Sequence, residues 1–136
     1  MQKHEIGTLD WSAGDVSGSI NQTNDTFYEG GIQSVSSTGD FIFKIDDSVV
    51  SDFYPGDEFM WSMKVFTVSA TVNFKYQYKL NGSNVTKPIY KPDGNTLAVT
   101  TADNSANKII QGKFVFWKRD NNNYGLQPIF FDKLEA

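Results

Sequence analysis

The residue types that most often carry catalysis are scarce in this chain. It has one histidine, His4, which lies near the amino terminus, and it has no cysteine. A Ser-His-Asp arrangement, a cysteine nucleophile and a thiolate metal site are therefore not expected. Adjacent carboxylates occur at Asp46-Asp47 and Asp57-Glu58. Neighbouring residues of a strand point to opposite faces, so neither pair could flank one scissile bond. These observations favour a protein that is not an enzyme.

An asparagine-rich segment, DNNNYG at 120–125, is similar to the start of a calcium-binding loop. Tyr124 stands at a ligand position of that pattern, and Phe131 stands where the closing acidic residue is expected. A turn between two strands is therefore the better interpretation, and no cofactor is expected to be required. A structural calcium ion bound by oxygen ligands from separate loops is kept as an alternative. Its candidate ligands are Asp10, Asp40 and Asp132.

Aromatic and polar side chains that share a strand face are the more informative feature. A sugar offers an apolar face to an aromatic ring and hydroxyl groups to amide, carboxylate and cationic side chains. Trp117 and Arg119 share one face of a predicted strand, and Trp117 is the leading candidate for a ligand contact. The other candidate glycan-binding residues are Asn73, Lys75 and Gln77 on another strand, together with Tyr90 and Tyr124.

Length and composition are those of an ordinary globular domain. The chain has 136 residues, of which 39% are hydrophobic, 15% aromatic and 21% charged, enough for one domain with its own core. A formal net charge of −4 opposes nucleic-acid binding, because such binding needs a cationic surface. No apolar run is long enough to span a membrane, and the first residues contain no signal segment. We expect a single domain over residues 1–136, excised from a larger protein.

Hydrophobic alternation indicates that strands position these residues. The predicted core face of YPGDEFMWSMKVF is Phe59, Trp61, Met63 and Val65. That of TVNFKYQYKL is Val72, Phe74, Tyr76, Tyr78 and Leu80, and that of KFVFWK is Phe114 and Phe116. Gly, Asn, Asp and Pro separate roughly seven to nine such runs, and none predicts a long helix. The predicted fold class is therefore all-β, an antiparallel two-sheet β-sandwich.

Turn signals fix several strand boundaries. Asn81-Gly82 predicts a tight hairpin turn, because both residues tolerate a positive φ. KPDGN predicts a second turn with Pro92 at its second position. Pro88 cannot donate a ladder hydrogen bond, so its strand is expected at an edge of the sheet.

Short motifs also resemble those of known modules. Pro55-Gly56 precedes a first matching strand, whose matched residues are Phe59, Trp61, Ser62 and Val65. A closing strand matches at Phe130, Phe131, Asp132, Leu134 and Glu135. The chain thus resembles the jelly-roll carbohydrate-binding modules of the family 4/9/22-like group. GTLDWSAGDVSGS at 7–19 is similar to the start of such modules in tail and baseplate proteins of phages that infect Gram-positive bacteria.

The resemblance implies a two-sheet jelly roll that binds a glycan and occurs outside the cell or in a virion. The expected ligand is a cell-wall or other polysaccharide, and other virion structural proteins are a second expected class of partner. Two alternatives stay open. One is a structural or assembly domain of a virion protein that binds no glycan. The other is a binding module appended to a secreted polysaccharide-degrading enzyme.

Overall fold

A computed structural model describes residues 17–22, 27–33, 39–44, 47–65, 71–105 and 108–135. In the described part of the chain, strands dominate and the helices are short. The strands are β1 (Ser17–Gln22), β2 (Phe27–Gln33), β3 (Gly39–Phe43), β4 (Glu58–Val65), β5 (Val72–Leu80), β6 (Ser83–Pro88), β7 (Ala98–Val99), β8 (Lys108–Asp120) and β9 (Asn123–Glu135). A 3-10 helix spans Asp47–Asp52, and α1 spans Thr101–Ser105. The all-β class predicted from the sequence is confirmed, and α1 is too short to change it.

All nine strands belong to one connected sheet. The strand order is β1-β2-β4-β8-β9-β5-β3, and β6 and β7 also pair with β5. The pairs β2–β4 and β3–β5 run parallel, whereas the other neighbours are antiparallel. The sheet is therefore mixed, which corrects the expectation of purely antiparallel pairing. Alternation within a strand predicts which side chains are buried, but it carries no information about the direction of the neighbouring strand.

Phenylalanine rings form much of the core. Phe43 on β3 lies 5.0 Å from Phe114 on β8 and 6.1 Å from Phe131 on β9, measured between ring centroids. Phe41 and Phe74 pack beside Phe43, at centroid distances of 5.0 Å from Phe41 and 6.2 Å from Phe74. Tilted and stacked ring pairs of this kind add stability beyond the area they bury. These contacts join strands that are far apart in the sequence.

Burial follows the predicted alternation on strands β4 and β8. Phe59 on β4 is fully buried, as are Phe114 and Phe116 on β8, while Trp117 on the other face of β8 is half-buried. Those core predictions are confirmed. The side chains of Trp61, Met63 and Val65 lie outside the described residues.

Strand β5 departs from its prediction halfway along. Val72 and Phe74 are buried, but Tyr76 and Tyr78 are half-buried and Leu80 is 42% exposed. The prediction of one continuous core face is therefore wrong for the second half of the strand. Here β5 leaves β3, which pairs only with residues 72–76, and meets β9 instead. Tyr76 and Tyr78 lie where the pairing of β5 changes from β3 to β9, at the boundary between the core and the surface.

The predicted turns and the predicted edge are confirmed. Asn81 and Gly82 have φ angles of 51° and 79°, in the left-handed region that a tight hairpin requires. The amide of Gly94 donates to the carbonyl of Lys91 at 3.0 Å, which places Pro92 second in its turn. In the described structure β6 pairs with β5 alone. No helix in the described ranges is long and apolar enough to cross a membrane.

Candidate functional site

A groove of about 330 Å³ opens on the surface formed by β5, β6 and β9. It lies where β9 separates from β5. The two strands pair through Tyr78 with Gly125 and through Lys79 with Tyr124, and β9 then continues along β8. The groove is lined by Tyr76, Tyr78, Lys87, Pro88, Tyr90, Gln127, Pro128, Phe130 and Phe131. Aromatic rings therefore form most of its wall.

Gly125 allows β9 to approach β5 closely beside this groove. A Cβ atom built on Gly125 would lie 2.3 Å from the Cβ atom of Tyr78, so the two backbones can approach this closely only at a glycine. Gly125 pairs with Tyr78 on one side and with Trp117 on the other. Directly paired residues share a sheet face, and the rings of Tyr78 and Trp117 meet edge to face across the glycine, with centroids 5.9 Å apart.

Three tyrosines present their rings to the groove. Tyr76 and Tyr78 are stacked, with centroids 6.0 Å apart and ring planes 28° apart. Burial raises the pKa of Tyr76 above its usual value, with smaller contributions from Tyr78 and Tyr90. Its phenol can act as a hydrogen-bond donor or acceptor. Tyr90 is 58% exposed. Its backbone is fixed, because it bridges Thr96 and follows the buried Ile89, whose amide donates to the carbonyl of Phe74 at 3.0 Å.

Phe130 lines the same groove in an unusual backbone conformation. Its side chain is 82% exposed and its φ is +57°, in the left-handed region that bulky residues rarely occupy. The cause is a β-bulge. Gln111 pairs with Asp132 and Lys113 with Ile129. Two residues of β9, Phe130 and Phe131, therefore lie opposite the single residue Gly112 of β8. A bulge of this kind re-aims one side chain, and here that side chain is the exposed ring of Phe130.

The adjacent residue anchors the bulge. Phe131 is buried, and its ring occupies the space above Gly112, where an added Cβ would come within 2.4 Å of the ring. The same ring packs against Phe114 at a centroid distance of 4.7 Å. Because Phe131 is held on the core side, Phe130 is left on the groove side. The strained backbone at Phe130 costs about 1 to 3 kcal/mol and gains little burial in return.

The polar residues of the groove are few and specific. Lys87 pairs with Tyr76 across β6 and β5, which places its side chain beside the tyrosine ring. Gln127, on β9, is exposed and supplies both a donor and an acceptor. No aspartate or glutamate belongs to the lining of this groove. Aromatic faces beside an amide and an ammonium group suit a ligand with both apolar faces and hydroxyl groups.

The structure places two of the seven predicted glycan-binding residues at this groove. Tyr90 lines it, and Trp117 flanks it through its contact with Tyr78. Arg119 is exposed near the far end of β8. Asn73 lies at the opposite end of β5 from Tyr78, paired with Ala98.

The remaining three predicted residues are engaged within the protein. The Nζ atom of Lys75 lies 2.9 Å from Oδ2 of Asp40. The Nε2 atom of Gln77 donates to Oγ1 of Thr86 at 3.0 Å. Tyr124 is 6% exposed, so its ring belongs to the core and cannot act as the exposed platform that the sequence suggested.

Tyr124 instead takes part in a polar cluster with Asp47 and Lys79. Its hydroxyl donates to Oδ1 of Asp47 at 2.6 Å, and Nζ of Lys79 donates to Oδ2 of the same carboxylate at 2.5 Å. These bonds, with that from Lys79 the larger cause, lower the pKa of Asp47 below 3.8. Burial, followed by the bond to Asp47, raises the pKa of Tyr124. The cluster ties the 3-10 helix to β5 and β9.

The candidate calcium ligands are not brought together in the described structure. Asp40 is paired with Lys75, and Oδ1 of Asp132 accepts a hydrogen bond from its neighbour's amide at 2.8 Å. Asp10 lies outside the described residues. Within the ranges that are described, no group of three or more histidine, cysteine or carboxylate side chains could hold a metal ion. The DNNNYG segment forms the turn between β8 and β9, as predicted.

Most residues of the groove are not predicted from the sequence. Alternation predicts Tyr76 and Tyr78 in the core, and Phe130 enters only as part of the closing motif. Two signals were present. Phe130 and Phe131 are adjacent, so a regular strand could not bury both. The second half of β5 carries tyrosine where the first half carries valine and phenylalanine, and tyrosine suits a site with one apolar and one wet side.

Comparisons with protein-family models, curated proteins and solved structures give no significant match for this chain.

Proposed function

We propose that this chain is a non-catalytic carbohydrate-binding module. In this proposal it is an accessory domain of a phage tail or baseplate that helps adhesion to host cell-wall saccharide, so it acts outside the cell as part of a virion. We also propose that the one connected sheet folds over into the two layers of a jelly roll, and that the domain binds its ligand without a required cofactor. The motifs resembling such modules, described above, support the assignment to a phage particle.

The groove is the observation that carries the proposal. It combines the stacked rings of Tyr76 and Tyr78 with two exposed rings, Tyr90 and Phe130. Sugar rings stack on aromatic faces through their apolar C–H face, while amide and cationic groups bind their hydroxyls. Gln127 and Lys87 supply these groups at the same groove. Its volume of about 330 Å³ is at the lower end of ligand pockets and suits a short stretch of glycan.

A second function is favoured by one specific observation. Phe130 is 82% exposed, and an exposed phenylalanine of this kind is also a suitable anchor for a protein partner. The alternative is a structural or assembly domain that docks on another virion protein and binds no glycan. A module appended to a secreted polysaccharide-degrading enzyme would use the same groove, and its ligand would distinguish it from an adhesion module.

The test is binding of the purified domain to cell-wall polysaccharides of Gram-positive bacteria, with cellulose, xylan and β-glucan in the same panel. Tyr90→Ala is expected to weaken binding about fivefold to thirtyfold, since removal of one stacking ring costs on the order of 1 to 2 kcal/mol. Tyr54→Ala is the matched control, because Tyr54 is equally exposed at 57% and does not line the groove. Trp117→Ala is expected to weaken binding through Tyr78 while the domain stays folded.

The outcomes separate the candidate functions. Saturable binding to a cell-wall glycan, lost in Tyr90→Ala and kept in Tyr54→Ala, supports the adhesion module. Binding to xylan or β-glucan alone assigns the domain to a polysaccharide-degrading enzyme. Absence of binding across the panel contradicts the proposal and favours the assembly domain.

A further inference from the structure

The charge around the groove differs from that of the chain as a whole. The protein has 16 acidic residues and a net charge of −4. The groove nevertheless has one cationic lining residue, Lys87, and no acidic one. In an acidic protein, a groove without carboxylates is the place where an anionic ligand meets least repulsion.

Lys87 also differs from many other lysines of the described structure. Five of them form ion pairs with carboxylates: Lys75 with Asp40, Lys79 with Asp47, Lys91 with Asp93, Lys113 with Glu58 and Lys133 with Asp103. Lys87 is exposed and pairs with no carboxylate among the described residues. Its ammonium group is therefore available to a ligand, and the pairing of Lys87 with Tyr76 keeps it next to the stacked rings.

We infer that the groove selects saccharides that carry a negative charge, either a sugar carboxylate or a phosphate ester. This inference rests on the proposed function and names the ligand class of the same site. The rings of Tyr76, Tyr78 and Tyr90 contact the sugar, and Lys87 binds the anionic group. The ion pair forms at the surface, so its contribution is modest and is screened by salt.

The experiment compares matched charged and neutral ligands on the whole chain. One pair is trigalacturonate and its methyl ester, and the other is phosphorylated maltotriose and maltotriose itself. Dissociation constants are measured by titration at about 20 mM and about 200 mM NaCl. Variants are Lys87→Gln, which removes the charge, and Lys87→Arg, which keeps it. Lys113→Gln is the control, because Lys113 is paired with Glu58 at 3.5 Å and does not line the groove.

At low salt the charged member of at least one pair is expected to bind about threefold to fivefold more tightly than its neutral partner. That preference should shrink at high salt, disappear in Lys87→Gln, and persist in Lys87→Arg and Lys113→Gln. The pair that shows it identifies the anionic group as carboxylate or phosphate.

Two results overturn the inference in different ways. Equal binding of charged and neutral members, or a preference that survives Lys87→Gln, removes the role of charge and leaves the carbohydrate-binding function standing. Absence of binding by all four saccharides, and by the polysaccharide panel, removes both.

Discussion

Phe130 combines two properties that ordinary surface residues lack. Its backbone lies in the left-handed region, and its ring is almost entirely exposed. The conformation is imposed by Phe131, which is fixed over Gly112 in the core. Strained residues of this kind cluster at functional sites, where the surrounding structure holds them in place. The position would suit glycine better for stability, so a bulky ring there is best explained by a ligand.

This explanation predicts that loss of the ring weakens binding and that relief of the backbone strain raises stability. Phe130→Gly removes the ring and relieves the left-handed strain, whereas Phe130→Ala removes the ring and keeps the strain. We expect both variants to weaken glycan binding. We expect Phe130→Gly to be more stable than Phe130→Ala by about 0.5 to 1 kcal/mol, after allowing for the greater flexibility of glycine in the unfolded chain.

Urea unfolding at pH 7 measures the difference in stability between the two variants. Titration with the ligand of the panel that binds most tightly measures the loss of binding. A Phe130→Gly variant less stable than Phe130→Ala would show that the backbone at Phe130 is not strained, because glycine is the more flexible residue in the unfolded chain. Unchanged binding in both would place the ligand elsewhere.

At the scale of elements, the groove depends on how β5 changes partners. Its first half pairs with β3 and its last residues pair with β9. Gly125 permits that second contact, because any side chain would collide with Tyr78. The position of the stacked tyrosines, and their contact with Trp117, thus depends on one residue without a side chain.

Gly125→Ala is therefore expected to destabilise the domain by about 1 to 3 kcal/mol, as overpacking at a tight contact does. The strands must move apart by more than 1 Å to bring the Cβ atoms to an ordinary distance, so the groove should also lose affinity. Gln127→Ala is the control for stability, since Gln127 lies on the same strand and is exposed. Thermal unfolding of the three proteins tests the expectation, and a Gly125→Ala variant as stable as the parent would contradict it.

The elements themselves could be predicted from the sequence better than their arrangement. Alternation and turn residues predicted β4, β5 and β8 and their buried phenylalanines, because period-2 burial is a local property. The parallel pairs, the change of partner along β5 and the bulge at Phe130 depend on residues distant in sequence, and no local pattern encodes them. For that reason the sequence suggested Trp117 by its strand face and Tyr90 as a loop aromatic, and of these two only Tyr90 lines the groove. Tyr76, Tyr78 and Phe130 were missed.

At the scale of the whole molecule, the cluster of Asp47, Lys79 and Tyr124 couples stability to pH. The bonds from Lys79 and Tyr124 lower the pKa of Asp47 in the folded state. A lowered carboxylate pKa contributes stability above the unfolded value near 3.8, and this contribution is lost as the pH falls through the folded value. Tyr124 affects stability at alkaline pH. Its raised pKa contributes stability below about pH 10, which is lost as the pH rises further.

We therefore expect the free energy of unfolding to fall between pH 7 and about pH 3, and to fall by less in Asp47→Asn. Because the Asp47 side chain is 60% exposed, solvent screening keeps its share of the effect small. Denaturant unfolding at the two pH values measures it. Glu58→Gln, which removes a carboxylate paired with Lys113 at 3.5 Å, is the control. Identical pH dependence in Asp47→Asn and the parent would show that the cluster does not contribute.

The edge strand β6 affects how neighbouring copies of the domain behave when they are crowded together. It pairs with β5 on one side, and its residues are mostly exposed. An unpaired edge can recruit strands from other copies and start aggregation, and natural sheets prevent this with lysine and proline. Lys87 and Pro88 supply both at the end of β6 that borders the groove. Many copies displayed close together could therefore keep their grooves free of one another, because each groove is bordered by a strand end that resists self-association.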